Sequence, residues 1–152
     1  MAPQKIKPLL ILLMMMVVVP ICVAGQDIVL RSPNGKAEVR LKMGKTVSYS
    51  VYFDQKPVID DSAIALSVKG NGSIGANPKI LKKQELSSDK QVADLVPEKR
   101  REIRDAFNEL QLTFEGNYGM IWRAYDNGVA YRWTTDLPGQ ITVSGERVDI
   151  NL

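Results

Sequence analysis

The amino-acid sequence predicts an all-β fold built from antiparallel strands. Over most of the chain after Asp27, apolar residues recur with a period of two, which is typical of strands buried on one face. Clusters of Gly, Pro, Asn and Asp interrupt this pattern at short intervals, as expected for tight turns between neighbouring strands. No internal repeat is present, so a single modest domain is expected.

The first strands alternate regularly with turns. A short strand at residues 28–30 leads into a turn at 32–35, whose proline and Asn-Gly pair supply a fixed φ and a positive φ. Residues 36–43 form a second strand, and Gly44-Lys45 is predicted to be a two-residue hairpin loop. The strand that follows, residues 46–53, has the clearest amphipathic alternation in the chain.

The middle of the chain is less regular. The pattern predicts a turn at residues 54–57 and short strands at 58–59 and 64–68. The glycine-rich residues 70–78 lack the Lys-Ser/Thr ending of a phosphate-binding loop, so a flexible surface loop is expected there. Between residues 87 and 105 charge replaces periodicity, which predicts a long excursion that leaves the sheet.

Strand patterns return towards the C-terminal end of the sequence. Residues 110–114, 120–125 and 129–134 alternate, and short strands at 141–143 and 148–150 follow. An Asn-Gly pair separates the second and third of these segments, and it is the strongest hairpin signal in the sequence.

This hairpin carries the first candidate functional residues. If Asn127-Gly128 forms the loop, Trp122 faces Trp133 across the hairpin, and with Tyr131 they make an aromatic patch. Such a patch is either a stacking platform for a sugar ring or a layer of the core. A core layer is the more common outcome, because cross-strand aromatic pairs are ordinary stabilisers of sheets.

On the opposite face the same register places Arg123 directly against Arg132. Two facing guanidinium groups cost free energy unless an acceptor lies beside them. The acceptor is either an internal acid, such as Glu109, Asp105 or Glu146, or a ligand or neighbouring domain. We hypothesise that the arginine pair orders the hairpin, so that its loop is presented rigidly to a partner domain or a sugar.

The first 25 residues have the layout of a removable secretion signal. Lys5 and Lys7 precede an apolar run at residues 8–23, and small residues follow it. A retained membrane anchor and a lipoprotein anchor at Cys22 are the alternatives, although Ile21 is too large for lipoprotein processing. Removing residues 1–25 leaves residues 26–152 as one domain without cysteine.

Composition excludes several classes of function. The sequence contains no histidine, which excludes histidine-based acid–base, triad and zinc chemistry. Its net charge of +3 falls to +1 without Lys5 and Lys7, and its basic cluster at 99–101 is interspersed with acids, so nucleic acid is not an expected partner. Asp60 and Asp61 would point to opposite faces of a strand, so they do not form a catalytic pair.

Four segments together resemble the N-terminal domain of family 97 glycoside hydrolases. Residues 123–133 resemble its RAYDDGVAFRY segment, and residues 104–110 are similar to its RDHYNEL stretch, with Ala106 in place of His. Residues 32–36 look like its opening SPDGK, and residues 49–58 like its second strand and turn. The departures in the longest segment are mild, with Asn127 for Asp, Tyr131 for Phe and Trp133 for Tyr.

The resemblance implies a fold and a biological setting. It implies an antiparallel β-super-sandwich of the galactose-mutarotase-like type, here truncated at its C-terminal end. In that family the sandwich precedes a catalytic (β/α)₈ barrel, which acts on α-glucosides or α-galactosides and uses calcium in its inverting members. It assigns no catalytic, metal or cofactor residue to this chain. Together with the secretion signal, it implies an exported protein, periplasmic or extracellular in a Gram-negative bacterium, without a membrane contact after cleavage.

Three readings of the function follow. The first is a non-catalytic N-terminal domain that packs against a barrel and shapes its active site, and this reading predicts an unpaired strand edge and an exposed apolar patch. The second is an autonomous module for α-linked oligosaccharides, with Trp122, Tyr131 or Trp133 as a platform and Arg123, Asp126 and Arg132 as polar partners. The third, an enzyme by itself, is disfavoured by the missing histidines and unpaired acids.

Overall fold

The computed structural model of the chain describes residues 27–93 and 102–152, and the proposed secretion signal and the basic cluster at 99–101 lie outside them. The described residues form ten strands and no helix. The strands are β1 (Ile28–Arg31), β2 (Ala37–Met43), β3 (Val47–Phe53), β4 (Lys56–Val68), β5 (Gly72–Ile74), β6 (Ile80–Ala93), β7 (Glu102–Phe114), β8 (Tyr118–Tyr125), β9 (Gly128–Thr135) and β10 (Val143–Val148).

These strands form two antiparallel sheets that pack face to face. The first sheet has the order β1-β2-β3-β4-β10, and β5 pairs with the end of β4. The second sheet has the order β6-β7-β8-β9. β1 packs against β7 and β8, and β2 packs against β8 and β9. The prediction of an all-β, antiparallel sandwich is therefore confirmed.

The core lies between the two sheets and is built from alternate residues of each strand. Burying an aliphatic or aromatic side chain of this kind contributes about 1.5–3 kcal/mol to folding. The fully or nearly fully buried residues of this core include Val39, Leu41, Val47 and Ile64 of the first sheet and Leu110, Leu112, Phe114, Met120 and Trp122 of the second. The period of two in the sequence thus has its expected cause, because odd and even residues of a strand face opposite sides.

The second sheet covers only part of the first. On β10, Val143 and Val148 are 51% and 41% exposed, yet they pair with the buried Val68 and Ile64 of β4. Directly paired residues of antiparallel strands point to the same face. The inner face of the first sheet is therefore open to solvent at its β10 end, next to β9, which pairs only with β8 among the described strands.

Several turns differ from those predicted. Val58 and Ile64 belong to one long strand, β4, which is irregular near Asp61, where φ is +34°. The turn before it contains only two residues, Asp54 and Gln55, both with positive φ, as in a type I′ hairpin. The β2–β3 loop is one residue longer than predicted, because Met43 pairs with Val47. The predicted flexible loop at 70–78 contains the short strand β5.

The predicted excursion at residues 87–105 is wrong for the part that the structure describes. β6 and β7 remain paired from Ser87 opposite Asn108 to Ala93 opposite Glu102, so these residues extend the hairpin. Arg104 binds Asp89 through two hydrogen bonds of 2.8 Å across it. Periodicity is absent from the sequence here because this part of the hairpin projects from the sandwich, so neither face has to be uniformly apolar.

Gly75 provides a test of how the two sheets approach each other. Its φ is +89°, and a Cβ atom there would lie 2.7 Å from the Trp133 ring and 3.2 Å from the carbonyl oxygen of Ile64. Gly35 has a similar φ of +74° but open space around it.

We expect Gly75→Ala to destabilise the fold by roughly 3 kcal/mol, from backbone strain plus overpacking. Gly35→Ala carries the strain alone and should cost about 1 kcal/mol. Urea unfolding of both variants measures the difference, and equal losses would contradict the proposed close approach.

Candidate functional site

The β8–β9 hairpin forms, but its register differs from the predicted one. Its two-residue loop is Asp126-Asn127, and Gly128 already pairs with Tyr125 as the first residue of β9. Moving a two-residue loop by one position shifts every pairing by two residues. Because side chains alternate with a period of two, such a shift changes the partners but keeps each residue on its predicted face.

The aromatic candidates face the interior of the sandwich. Trp122 faces Tyr131, not Trp133, and their rings stack with centroids 4.9 Å apart. Tyr49 of the opposite sheet lies 5.3 Å from the Trp122 ring. Trp122 is 0% exposed. Of the two predicted alternatives, a stacking platform for a sugar ring or a layer of the core, it is therefore part of the core.

Tyr131 and Trp133 lie at the border of this core. Both are half-buried and pack against it from β9. The Tyr131 hydroxyl donates to the Glu146 carboxylate at 3.3 Å. Burial, together with the charge of Glu146, raises the pKa of Tyr131 to about 12, so the phenol stays protonated and can donate. The indole N–H groups of Trp122 and Trp133 find no acceptor among the described residues, so these rings are held by packing.

The arginines lie on the opposite, outer face of the second sheet, and they do not face each other. Arg123 pairs with Ala130, and Arg132 pairs with Ile121. The sequence left two kinds of acceptor open, an internal acid or a ligand or neighbouring domain, and for Arg123 the structure shows an internal acid, Glu109 of the neighbouring strand. The Arg123 Nε donates to Glu109 Oε2 at 2.5 Å.

Glu109 is the centre of this outer face. It is 4% exposed, and its second oxygen, Oε1, accepts a 2.5 Å hydrogen bond from the Gln111 amide. Burial raises the pKa of its carboxyl, but the hydrogen bonds from Gln111 and Arg123 and the charges of Arg123 and Arg132 outweigh burial. The net result is a pKa below its ordinary value of 4.5, so the group is ionised at neutral pH.

Two aromatic rings complete the outer cluster, which we define as Phe107, Glu109, Gln111, Ile121, Arg123, Tyr125, Ala130 and Arg132. The Arg123 guanidinium lies 4.1 Å above the Phe107 ring, and Phe107 packs against Tyr125 at 5.3 Å. A guanidinium over an aromatic face contributes about 0.5–1 kcal/mol at exposed sites. The sequence argument missed Phe107, Gln111 and Tyr125, although they stand two residues from Glu109 or Arg123 and so share their face.

Arg132 differs from Arg123 in having no partner among the residues that the structure describes. Its side chain is exposed and makes no hydrogen bond or ion pair with any described residue. A depression of about 170 Å³ lies beside it, lined by Ile121, Arg123, Tyr125, Ala130, Tyr131 and Arg132.

Asp126, the last candidate, binds within its own domain. Its carboxylate accepts a 2.9 Å hydrogen bond from the backbone N–H of Asn34, in the turn between β1 and β2. The loop is therefore fastened to the first sheet at this turn. The hypothesis that an Arg123–Arg132 pair orders the loop is wrong in its geometry, because the two arginines are not paired.

Neither a metal centre nor a membrane-crossing helix is found in the described part of the chain. Residues 27–93 and 102–152 hold no group of three or more His, Cys, Asp or Glu side chains arranged to bind a metal ion. The same residues include no helix with the length and hydrophobicity that crossing a bilayer requires.

A family model and relatives of known structure match this chain. The model of the glycosyl-hydrolase 97 N-terminal family matches residues 30–152. A retaining alpha-galactosidase of Bacteroides thetaiotaomicron is 26% identical over 113 residues, which are 72% of this chain and 16% of that protein.

The solved structures with a similar fold include enzymes of the same family. A glycoside hydrolase family 97 enzyme from Pseudoalteromonas sp. strain K8, solved in complex with panose and with acarbose, is 27% identical, with a TM-score of 0.71. The match covers 80% of this chain and 20% of that enzyme. A beta-arabinopyranosidase is 25% identical over 81% of this chain and 21% of its own, with a TM-score of 0.70. The chain thus spans about a sixth to a fifth of the length of these relatives.

The two arginines form a matched pair for mutation. Arg123→Ala leaves the buried Glu109 carboxylate without its ion partner, so we expect the free energy of unfolding to fall by about 3 kcal/mol. Arg132→Ala removes an exposed side chain from the same face and should change stability by less than about 0.5 kcal/mol. Urea unfolding at pH 7 tests both values. Similar losses for both variants would contradict the central role assigned to the Glu109–Arg123 pair.

The ion pair also predicts a pH dependence. Because the folded-state pKa of Glu109 is lowered, its contribution is complete above the ordinary value of 4.5 and disappears as pH falls through the folded-state pKa. The stability difference between the wild-type chain and Glu109→Gln should be largest near pH 7 and shrink below pH 4.5. Glu115→Gln, at an exposed ion pair with Lys79, is the control and should change stability little at any pH. A difference between wild type and Glu109→Gln that is constant between pH 7 and pH 3 would refute this account.

Proposed function

Because this chain belongs to the glycosyl-hydrolase 97 N-terminal family, we propose that it is the non-catalytic sandwich domain of an exported α-glucoside or α-galactoside hydrolase. In this proposal the domain packs against a catalytic (β/α)₈ barrel and shapes or supports its active site. Relatives that are several times longer and carry hydrolase names support such a parent enzyme.

The observation that carries the proposal is the open inner face of the first sheet. Val143 and Val148 are exposed there, and β9, which pairs with no described strand besides β8, approaches β10 through the Tyr131–Glu146 hydrogen bond. Unpaired strand edges and exposed apolar surface favour association with further protein structure. The first reading of the sequence predicted both features, and they support a domain that is completed by other parts of an enzyme.

The placement of the aromatic rings argues against the alternative, an autonomous module for α-linked oligosaccharides. A sugar platform needs an exposed ring, whereas Trp122 is fully buried and Trp133 and Tyr131 face the core. Of the polar partners suggested for such a module, Arg123 is held by Glu109 and Asp126 by the Asn34 backbone. Two arginines, of which Arg123 is already engaged by Glu109, are too little to orient a neutral oligosaccharide without an exposed aromatic ring.

The setting of the domain is part of the proposal. We propose export by the N-terminal signal into the periplasm or the medium of a Gram-negative bacterium. The calcium that the family resemblance implies fits the described residues poorly, because they hold no group of three or more His, Cys, Asp or Glu side chains arranged to bind a metal ion. We propose that any such ion is bound by the catalytic barrel.

A thermal melt with neutral sugars separates the two candidate functions. A module with a dissociation constant of about 0.1 mM would gain about 2.7 kcal/mol of stability in 10 mM oligosaccharide, since ligand binding to the native state raises its stability. A supporting domain has no such ligand, so we expect the melting midpoint to stay unchanged with maltose or galactose oligosaccharides. The measurement is the melting midpoint by circular dichroism, with sucrose as the control for non-specific effects.

An upward shift with one of these oligosaccharides, absent with sucrose, would sink the proposal in favour of the autonomous module. An unchanged midpoint agrees with the supporting domain.

A further inference from the structure

The pairing of β8 with β9 leaves a depression on the outer face. Opposite Tyr125 stands Gly128, which has no side chain, and opposite Arg123 stands Ala130, which has a single methyl group. The missing side-chain volume accounts for the depression of about 170 Å³ beside β9, which pairs with no described strand other than β8. Ligand pockets for drug-sized molecules are larger, about 300–1,000 Å³, so this one fits a single small group.

The charges around the depression do not balance. Arg123 and Arg132 contribute two positive charges, whereas Glu109 is the only carboxylate among the described residues that binds either of them. Glu109 already uses both oxygens, one for Arg123 and one for Gln111. Arg132 nevertheless lies near enough to lower the pKa of Glu109. The cluster therefore has room for one further anion.

Both guanidinium groups can reach the same ligand. Arg132 pairs with Ile121, the residue two positions before Arg123 on β8, so the two arginines are diagonal neighbours, about 7–8 Å apart at the backbone. Arg123 donates through Nε to Glu109 and weakly through Nη1 to the Tyr125 hydroxyl, at 3.5 Å. A guanidinium has five N–H donors, so donors remain on Arg123, and no described residue accepts from those on Arg132.

The walls of the depression add an apolar component. Ile121, Ala130 and the half-buried Tyr125 present carbon to its interior. The C–H face of a pyranose ring packs well on such a surface, while a carboxylate is the planar acceptor that a guanidinium binds best. A uronic acid combines both features.

We propose that this depression binds the carboxylate of a uronic acid through Arg132 and Arg123, with the sugar ring against Ile121 and Tyr125. The site is separate from the aromatic core of the sandwich and does not depend on the proposed role beside a barrel. Because the depression is shallow and small, it takes one sugar unit, and we expect a dissociation constant in the millimolar range.

The test is a melt and an amide NMR titration of the full chain with 50 mM sodium glucuronate, compared with 50 mM sodium chloride. We expect the midpoint to rise by about 3 °C. We also expect the amide signals of Tyr125 and Ala130 to shift. Arg132→Gln should abolish both effects and leave the midpoint in sodium chloride unchanged. Lys45→Gln, which removes one exposed charge elsewhere, should preserve both effects.

Four further results would each overturn the proposal. Glucose matching glucuronate would show that the carboxylate is not recognised. Acetate or inorganic phosphate matching it would show a general anion site without sugar selection. The absence of both the thermal shift and the NMR shift in glucuronate would show that the depression binds nothing. Persistence of both effects in Arg132→Gln would place the binding elsewhere. The glucose result also reports on binding of neutral sugars, whereas the other three results leave the test of the proposed function with neutral oligosaccharides unaffected.

Discussion

Strand β8 has to satisfy two environments at once, and the rest of the second sheet follows from this constraint. Its even-numbered residues, Met120, Trp122 and Ala124, are fully buried against the first sheet. Its odd-numbered residues, including Arg123 and Tyr125, point outward. β8 lies between β7 and β9 in the second sheet. Its inward side chains therefore belong to the apolar layer between the sheets, and its outward side chains belong to the charged layer on the outer face.

The charged layer is organised around a carboxylate that water barely reaches. Burying an ionised group is unfavourable unless it is paired and hydrogen-bonded, and Glu109 meets this condition with one donor on each oxygen. The arrangement fixes Arg123 above Phe107 and so joins β7 to β8 on the outside of the sheet. The polar cluster therefore has a structural role before any role in binding.

The same sandwich is closed along most of its length and open at one side. The five-strand path of the first sheet, with β5 beside it, extends past the four strands of the second, which leaves apolar residues of β10 in solvent. Exposed apolar surface of this kind is typical of sites that contact other protein structure. This physical feature agrees with the membership of the chain in a family whose relatives are several times longer.

The sequence by itself determined the fold class and the faces of the hairpin residues, whereas the acid that neutralises Arg123 was settled by the structure. The fold class and the faces follow from the period-two alternation of apolar and polar residues, which can be seen within a single strand. The tertiary structure decided which residues pair across neighbouring strands, because this is not visible within one strand. It selected the Asp126-Asn127 loop and so placed Trp122 opposite Tyr131, since turn geometry and packing against Tyr49 set the register. It also kept residues 87–93 in a hairpin without a hydrophobic pattern, because backbone pairing across a projecting hairpin requires no buried face.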